Sequence, residues 1–216
     1  MKIAVCTPVH GHPNTGYVQS LADMLQASAA ADVRDATGAP LTLDIRTILH
    51  SSSCLTEGRS ALVTEALRWG AHALLWIDSD QTFPPDTLAR LLDRNKWVVG
   101  CNYPRRKPKP VPTAVKGGQL VYTRDETTGL EEVDQLGLGL CLVNNQALAA
   151  VANTGRLWPL FEFRIQPDGI SNFSEDYFFF DRIRSAGVKI YLDHDLSKRV
   201  GHMYERILTY RDTLSE

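Results

Sequence analysis

The strongest constraint on this chain is the regular exchange of two hydrophobic periods along its first hundred residues. Lys2 to Pro8 is a short apolar run, and Thr15 to Ala31 then carries apolar residues at helical spacing, with Val18, Leu21 and Leu25 on one face. Leu41 to Leu49 alternates as a strand does. Arg59 to Trp69 returns to helical spacing, with Leu62, Ala66 and Leu67 on one side. Ala73 to Ile77 is unbroken apolar, Pro84 and Pro85 sit in the first turn of a helix carrying Leu88, Leu91 and Leu92, and Trp97 to Cys101 is again a strand. Strands and helices alternating at this spacing predict an α/β fold with a parallel sheet covered by helices on its faces.

The second half is less regular. Tyr103 to Pro112 holds four prolines and the basic residues Arg105, Arg106, Lys107 and Lys109, so it is expected to be extended and exposed. Val115 to Thr123 and Leu136 to Val143 read as strands on either side of a polar turn at Asp125 to Gly129. Gln146 to Ala152 reads as a helix, Phe161 to Ile165 as a strand, Glu175 to Ala186 as a helix stopped by Gly187, and Val188 to Leu192 as a last strand. There is no internal repeat, so one α/β domain is expected, its second half completing a site begun by the first.

Composition narrows the partners. At 216 residues and 44% hydrophobic, the chain can bury about 70% of its unfolded surface without disulfides or a structural metal. A formal net charge of −2 argues against binding nucleic acid through bulk charge, although a local basic groove stays open. No apolar segment approaches the roughly 20 residues of a membrane span. The opening MKIAVCTP reads as a strand and not as a signal peptide, so a cytoplasmic location is expected. Cys6, Cys54, Cys101 and Cys141 form no CxxC pair and read as small hydrophobes in a reducing compartment.

Ligands of open α/β sheets bind beyond the carboxyl ends of the parallel strands. After the third strand comes Asp78-Ser79-Asp80, whose two carboxylates at i and i+2 can approach one divalent cation. A helix cap and turn is the competing reading. A second such tripeptide, Asp193-His194-Asp195, also follows an apolar run. Arg59 falls in the first turn of its helix after a Thr56 cap, where the helix dipole disfavours a cation by about 0.3–1 kcal/mol. Meeting an anion would explain it there, as would pairing with Glu57 or snorkelling into solvent. Glu175 and Asp176 open a later helix, either as first-turn carboxylates or with one as a general base. His202, after the last strand, can serve as a further metal ligand. His10 and His12 read as a loop feature. No GxxxxGK[ST] follows a strand, and LGLGL lacks the strand-turn-helix setting of a dinucleotide fingerprint.

In combination, these segments resemble the GT-A fold glycosyltransferases, specifically the family 2-like group. The resemblance runs over most of the chain: IAVCTPVHG, Leu55 to Leu67 with Arg59, ALLWIDSDQTFPPDTLARLL, VVGCNYPRR, LGLGLCLVNNQAL and FSEDYFFFDRIRSAGVKIYLDHDLSKRVGH. It implies a single GT-A, Rossmann-like domain over 1–216 with a mixed, mainly parallel central sheet. Residues 1–102 would form the nucleotide-binding half, and 103–216 the acceptor-side half and closing helix.

The implied function is metal-dependent transfer of a sugar from a nucleotide diphosphate, a UDP-sugar, to a hydroxyl acceptor. Asp80, with Asp78 and His202, would hold Mn²⁺ or Mg²⁺. Thr7, Pro8, Arg59, Asp78, Ser79 and Asp80 would lie at the donor, with Arg105, Arg106 and Lys107 closing over its phosphates. Asp176 of the Glu175-Asp176 pair would be the base. Departures from the family pattern are Val9-His10-Gly11-His12 where relatives often have Tyr-Asn, and Ser60 where many have Asn after the donor-site Arg. The acceptor stays open among a saccharide, a protein, a small molecule and a modified DNA base, and its recognition falls to the second half or to another subunit of a homo-oligomer. The alternatives are a nucleotidyltransferase acting on a sugar phosphate, and a catalytically silent module that binds a nucleotide sugar or carbohydrate.

Overall fold

The computed structural model describes residues 1–34, 37–106, 109–165 and 172–204, with the backbone alone at 172–173. In chain order its elements are β1 (Lys2–Val9), α1 (Thr15–Ala30), β2 (Asp44–Ser51), α2 (Leu55–Trp69), β3 (Ala73–Ile77), β4 (Gln81–Thr82), α3 (Thr87–Asp93) and β5 (Val98–Gly100). There follow β6 (Val115–Lys116), β7 (Gln119–Leu120), β8 (Leu130–Val133), β9 (Leu140–Asn144), α4 (Asn145–Asn153), β10 (Arg164–Ile165) and β11 (Asn172–Phe173). The last are α5 (Glu175–Ser185), β12 (Ile190–Asp193), α6 (His194–Ser197) and β13 (Gly201–His202).

Among the described residues, seven strands form the central sheet in the order β2-β1-β3-β9-β5-β12-β8. β2, β1, β3, β5 and β12 run one way, while β9 and β8 run against their neighbours. The sheet is mixed and mainly parallel, and it draws strands from both halves of the chain. Both of its faces are covered, which is why β1 and β3 are continuous apolar runs instead of alternating ones. Ala4, Cys6, Leu74, Trp76, Cys141 and Val143 point to one face, where α2, α4 and α5 bring Leu62, Ala66, Leu148, Val151, Phe179 and Ile183. Ile3, Val5, Leu75, Ile77, Leu140 and Leu142 point to the other, against Tyr17 and Met24 of α1, Leu88 and Leu91 of α3 and Leu196 of α6. Among the described residues, no helix is long and apolar enough to cross a membrane.

Several local expectations are corrected. The buried stripe of α1 runs through Tyr17, Met24 and Ser28, while Val18 is half exposed, because the Tyr17 hydroxyl is satisfied inside by Thr7 Oγ1 at 2.7 Å. α2 begins at Leu55 with Cys54 as its cap residue, so Thr56 is not the cap and Arg59 lies in the second turn. Pro84 and Pro85 precede α3 and its cap residue Asp86. The strand expected over Val115 to Thr123 is a short hairpin. Gly117 and Gly118, at φ 55° and 75°, supply the two left-handed positions that a tight two-residue turn needs. β8 was not anticipated: as an edge strand with only Val133 buried, LEEV carries almost no apolar signal. Of the four cysteines, Cys6, Cys101 and Cys141 are buried and Cys54 is exposed.

β9 starts later than its apolar pattern suggests because Leu136 to Gly139 passes over the Tyr103 ring. The Gly139 N–H donates to the Tyr103 hydroxyl at 2.8 Å. A Cβ on Gly139 would lie 2.5 Å from that hydroxyl and 2.8 Å from Gln81 Nε2, and one on Gly137 would overlap Tyr103 as well. The two glycines of LGLGL therefore permit a close approach. Gly139→Ala is expected to cost about 1–3 kcal/mol, an overpacking penalty, and urea unfolding midpoints check it: a variant as stable as the parent contradicts the packing described.

Candidate functional site

The site lies where β1, β3, β5 and β12 end and antiparallel β9 begins. Asp78 N–H donates to Gly139 O at 3.0 Å, and Cys101 N–H donates to Leu140 O at 2.9 Å. These two bonds tie the β3 and β5 ends to the glycine segment. After β3 the chain turns through Asp78, Ser79 and Asp80 into β4, which pairs antiparallel with β13 so that His202 stands opposite Gln81. That small ladder brings His202 to Asp80.

His202 Nε2 is 3.4 Å from Asp80 Oδ1, and its Nδ1 hydrogen-bonds Pro104 O at 2.8 Å. Because Nδ1 donates to a carbonyl, Nε2 is the nitrogen left to face a cation. The Tyr103 ring packs edge-on against His202 at 5.4 Å and fixes its plane. Arg106 Nη1 sits 2.9 Å from Asp80 Oδ2. Burial alone would raise the Asp80 carboxyl, but His202 and Arg106 outweigh it and hold it below the usual range. Burial likewise opposes the charged form of His202, yet Asp80 and the Pro104 carbonyl raise it.

Beside this pair lies a second, drier cluster. Arg59 is 1% exposed. Its Nη2 is 3.1 Å from Asp78 Oδ1 and 3.4 Å from Asp176 Oδ1, and its Nε is 3.4 Å from Glu175 Oε1. The guanidinium lies over the Trp76 ring at 5.5 Å. Local sequence explains the burial. Arg59 shares the core-facing stripe of α2 with Leu62, Val63 and Ala66, and Glu175 shares that of α5 with Phe179 and Ile183. Asp176 Oδ2 accepts from the Leu138 N–H at 3.2 Å, whereas Asp176 Oδ1 is buried without a hydrogen-bond partner among the described residues. Burial pushes the Asp176 carboxyl up to about 7; Arg59 opposes that rise and Glu175 adds to it. Burial also raises Asp78, against the pull of Arg59.

A cleft of about 270 Å³ opens between the ends of β1 and β2 and the start of α2, bordered by Pro8, His50, Cys54, Asp78, Ser79, Asp80 and Arg106. Pro8, Arg59, Asp78, Ser79, Asp80 and Arg106 thus meet at one cavity. Thr7 is fully buried with its hydroxyl on Tyr17, so its side chain is not on the cavity wall. Arg105 turns away to the Tyr177 hydroxyl and stacks on that ring at 5.3 Å. Lys107 lies outside the described residues. The basic segment is anchored at both ends by Asn102, whose Oδ1 accepts from Thr113 and Ala114 N–H at 2.9 and 3.1 Å. Asp193 is different from Asp78 and Asp80: fully buried, it caps α6 and pairs with Arg94 at 2.7 Å.

Sequence reasoning passed over Tyr103, which orients His202 and spans from the β5 end to the glycine segment. The only signal for it was the pair of glycines in LGLGL. Among the described residues, no group of three or more His, Cys, Asp and Glu side chains is arranged to hold a metal ion. Asp80 and His202 do face each other, and Asp80 Oδ1, 3.4 Å from His202 Nε2, is buried with no hydrogen bond among the described residues, the kind of oxygen a hard cation satisfies. The two fit as a pair of ligands in an open site. Asp78 is held by Arg59 instead.

No family model matches the chain, and no curated protein matches its sequence. Among solved structures, A197 from STIV is similar at 14% identity, with 97% of each chain covered and a TM-score of 0.56. A crystal structure of GalNAc-T7 with UDP, GalNAc and Mn²⁺ is similar at 12% identity and a TM-score of 0.55, over 94% of this chain and 44% of that one. The chain therefore spans less than half the length of GalNAc-T7. It has the GT-A fold of glycosyltransferases, and these likenesses speak to fold alone.

Proposed function

We propose that the protein is a metal-dependent glycosyltransferase that moves a sugar from a nucleotide diphosphate, a UDP-sugar, to a hydroxyl acceptor. The observation that carries this reading is the division of labour among carboxylates at one sheet edge. Asp80, low in pKa, faces an imidazole at the cleft, while Asp176, raised to about 7, sits apart on α5, its Oδ1 3.4 Å from Arg59 Nη2 and without a hydrogen bond among the described residues. Carboxyls pushed in opposite directions by their surroundings are the usual mark of separate chemical roles. The GT-A fold shared with a protein crystallised with UDP and Mn²⁺ supports the donor class.

In this reading residues 1–102 are the nucleotide-binding half and 103–216 the acceptor-side half of one domain. Mn²⁺ or Mg²⁺ held by Asp80 and His202 would supply Lewis-acid stabilisation of the departing diphosphate. Pro8, Ser79 and the α2 start border the donor cleft. Arg106, already at its mouth, turns from Asp80 to the phosphates. Tyr103 keeps His202 in plane. Asp176 accepts the acceptor hydroxyl proton at Oδ1 while the Leu138 N–H holds Oδ2.

Calorimetric titration with UDP, with and without Mn²⁺, tests the metal and donor together. Binding that needs the metal is expected, and its absence overturns the reading. A panel of nucleotide sugars screened by melting temperature then selects the donor, since a ligand at 100 times its Kd stabilises by about 2.7 kcal/mol.

A further inference from the structure

We propose that Arg59 is a positioning residue that aims Asp176 at the acceptor. The proposal rests on the reading of Asp176 as the base. Arg59 borders the cleft with its side chain only 2% exposed; its Nε and Nη2 are spent on protein carboxylates, while Nη1 is buried without a hydrogen-bond partner among the described residues. Three carboxylates from two elements, Asp78 after β3 and Glu175 and Asp176 on α5, converge on this one cation.

What the cluster does is couple elements. α2 and α5 both pack on the face of the sheet that carries Trp76, and the guanidinium spans from one helix to the other across that ring. With Leu138 N–H fixing Oδ2, the Arg59 contact at Oδ1 sets the second point that orients the Asp176 carboxylate. The groups facing Asp176 are Arg59 from α2, Glu175 beside it on α5, Asp78 at the β3 end, Tyr103 after β5 and Cys141 on β9. Arg59 is the cation of that set. Removing it leaves a half-buried carboxylate without its counter-ion, which then takes a proton more readily and stops acting as a base.

The test uses the full chain with Arg59→Gln, Arg59→Lys, Asp176→Asn and the Arg59→Gln/Asp176→Asn pair. Melting temperatures at pH 8 form a cycle that needs no activity. Asp176→Asn is expected to recover several degrees of what Arg59→Gln loses, and strict additivity overturns the proposal. Where Arg59→Gln does not fold, Arg59→Lys takes its place in the cycle. Donor hydrolysis against pH is the second arm. In Arg59→Gln the acid limb should move up by about one pH unit or more, a tenfold or greater change in proton affinity, with donor affinity unchanged and Arg59→Lys lying between. Loss of donor affinity with an unmoved limb makes Arg59 a phosphate ligand and overturns the proposal. If the parent hydrolyses no nucleotide sugar, the proposed function fails while the melting cycle still decides the role of Arg59.

Discussion

Asp176→Asn should lower turnover by about 10²–10⁴-fold, the contribution of a positioned general base, while donor affinity stays as it is. The substitution keeps the shape and the Leu138 contact but removes the proton acceptor. The side chain stands clear of the cleft that Asp80 and Arg106 border, so the nucleotide loses nothing. The same group sets a pH dependence whose sign is fixed. A base works when deprotonated, and burial has pushed Asp176 up to about 7, so the parent's rate should climb through neutrality and flatten above it. Stability moves the other way. The folded carboxyl binds its proton more tightly than the unfolded one, so its contribution is complete below the ordinary carboxyl range and is lost as pH rises through about 7. Steady-state kinetics and thermal melts from pH 5 to 9, on the parent and Asp176→Asn, check both trends. Turnover retained in the Asn variant removes Asp176 from the chemistry.

The parts legible in the sequence are those whose signal is local. β1, β3 and α5 announce themselves through unbroken apolar runs or helical spacing, and the position of Asp78 and Asp80 after β3 follows from where the run ALLWI ends. His202 near Asp80 was an expectation from resemblance; its physical cause is a two-residue ladder between β4 and β13, too short to leave a pattern. Arg59 shows a different limit. A charged residue within an amphipathic stripe reads as an interruption of it, whereas here the stripe is continued by charge because Glu175 and Asp78 complete the cluster from elsewhere in the chain. No spacing within α2 encodes that. Tyr103 is the same case in reverse: its place is written in the missing side chains of Gly137 and Gly139 more than in its own surroundings. Residues that act through partners a hundred positions away become readable only when the sheet order brings those partners together.

The effect of Asp80→Ala on UDP affinity should change sign with the metal. With Mn²⁺ present, affinity is expected to fall by about 100-fold or more, because the several kcal/mol of charge neutralisation that a bound cation gives a diphosphate is lost with its carboxylate ligand. Without metal the outcome reverses. In the parent, Asp80 presents a carboxylate at the cleft and holds Arg106 at 2.9 Å, so an incoming phosphate meets a negative charge and an arginine already paired. Removing Asp80 lifts the repulsion and frees Arg106, and UDP in a chelating buffer should bind the variant more tightly than the parent. An effect of Asp80 on packing alone would weaken both conditions equally, so the crossing of the two affinities distinguishes a cation site from a structural turn. His202→Ala should show the same loss with Mn²⁺ but no gain without it, since Asp80 and its hold on Arg106 remain. Titrations of UDP into the three proteins, each with Mn²⁺ and with chelator, read all six values. Mn²⁺ dependence that survives in Asp80→Ala would place the cation elsewhere.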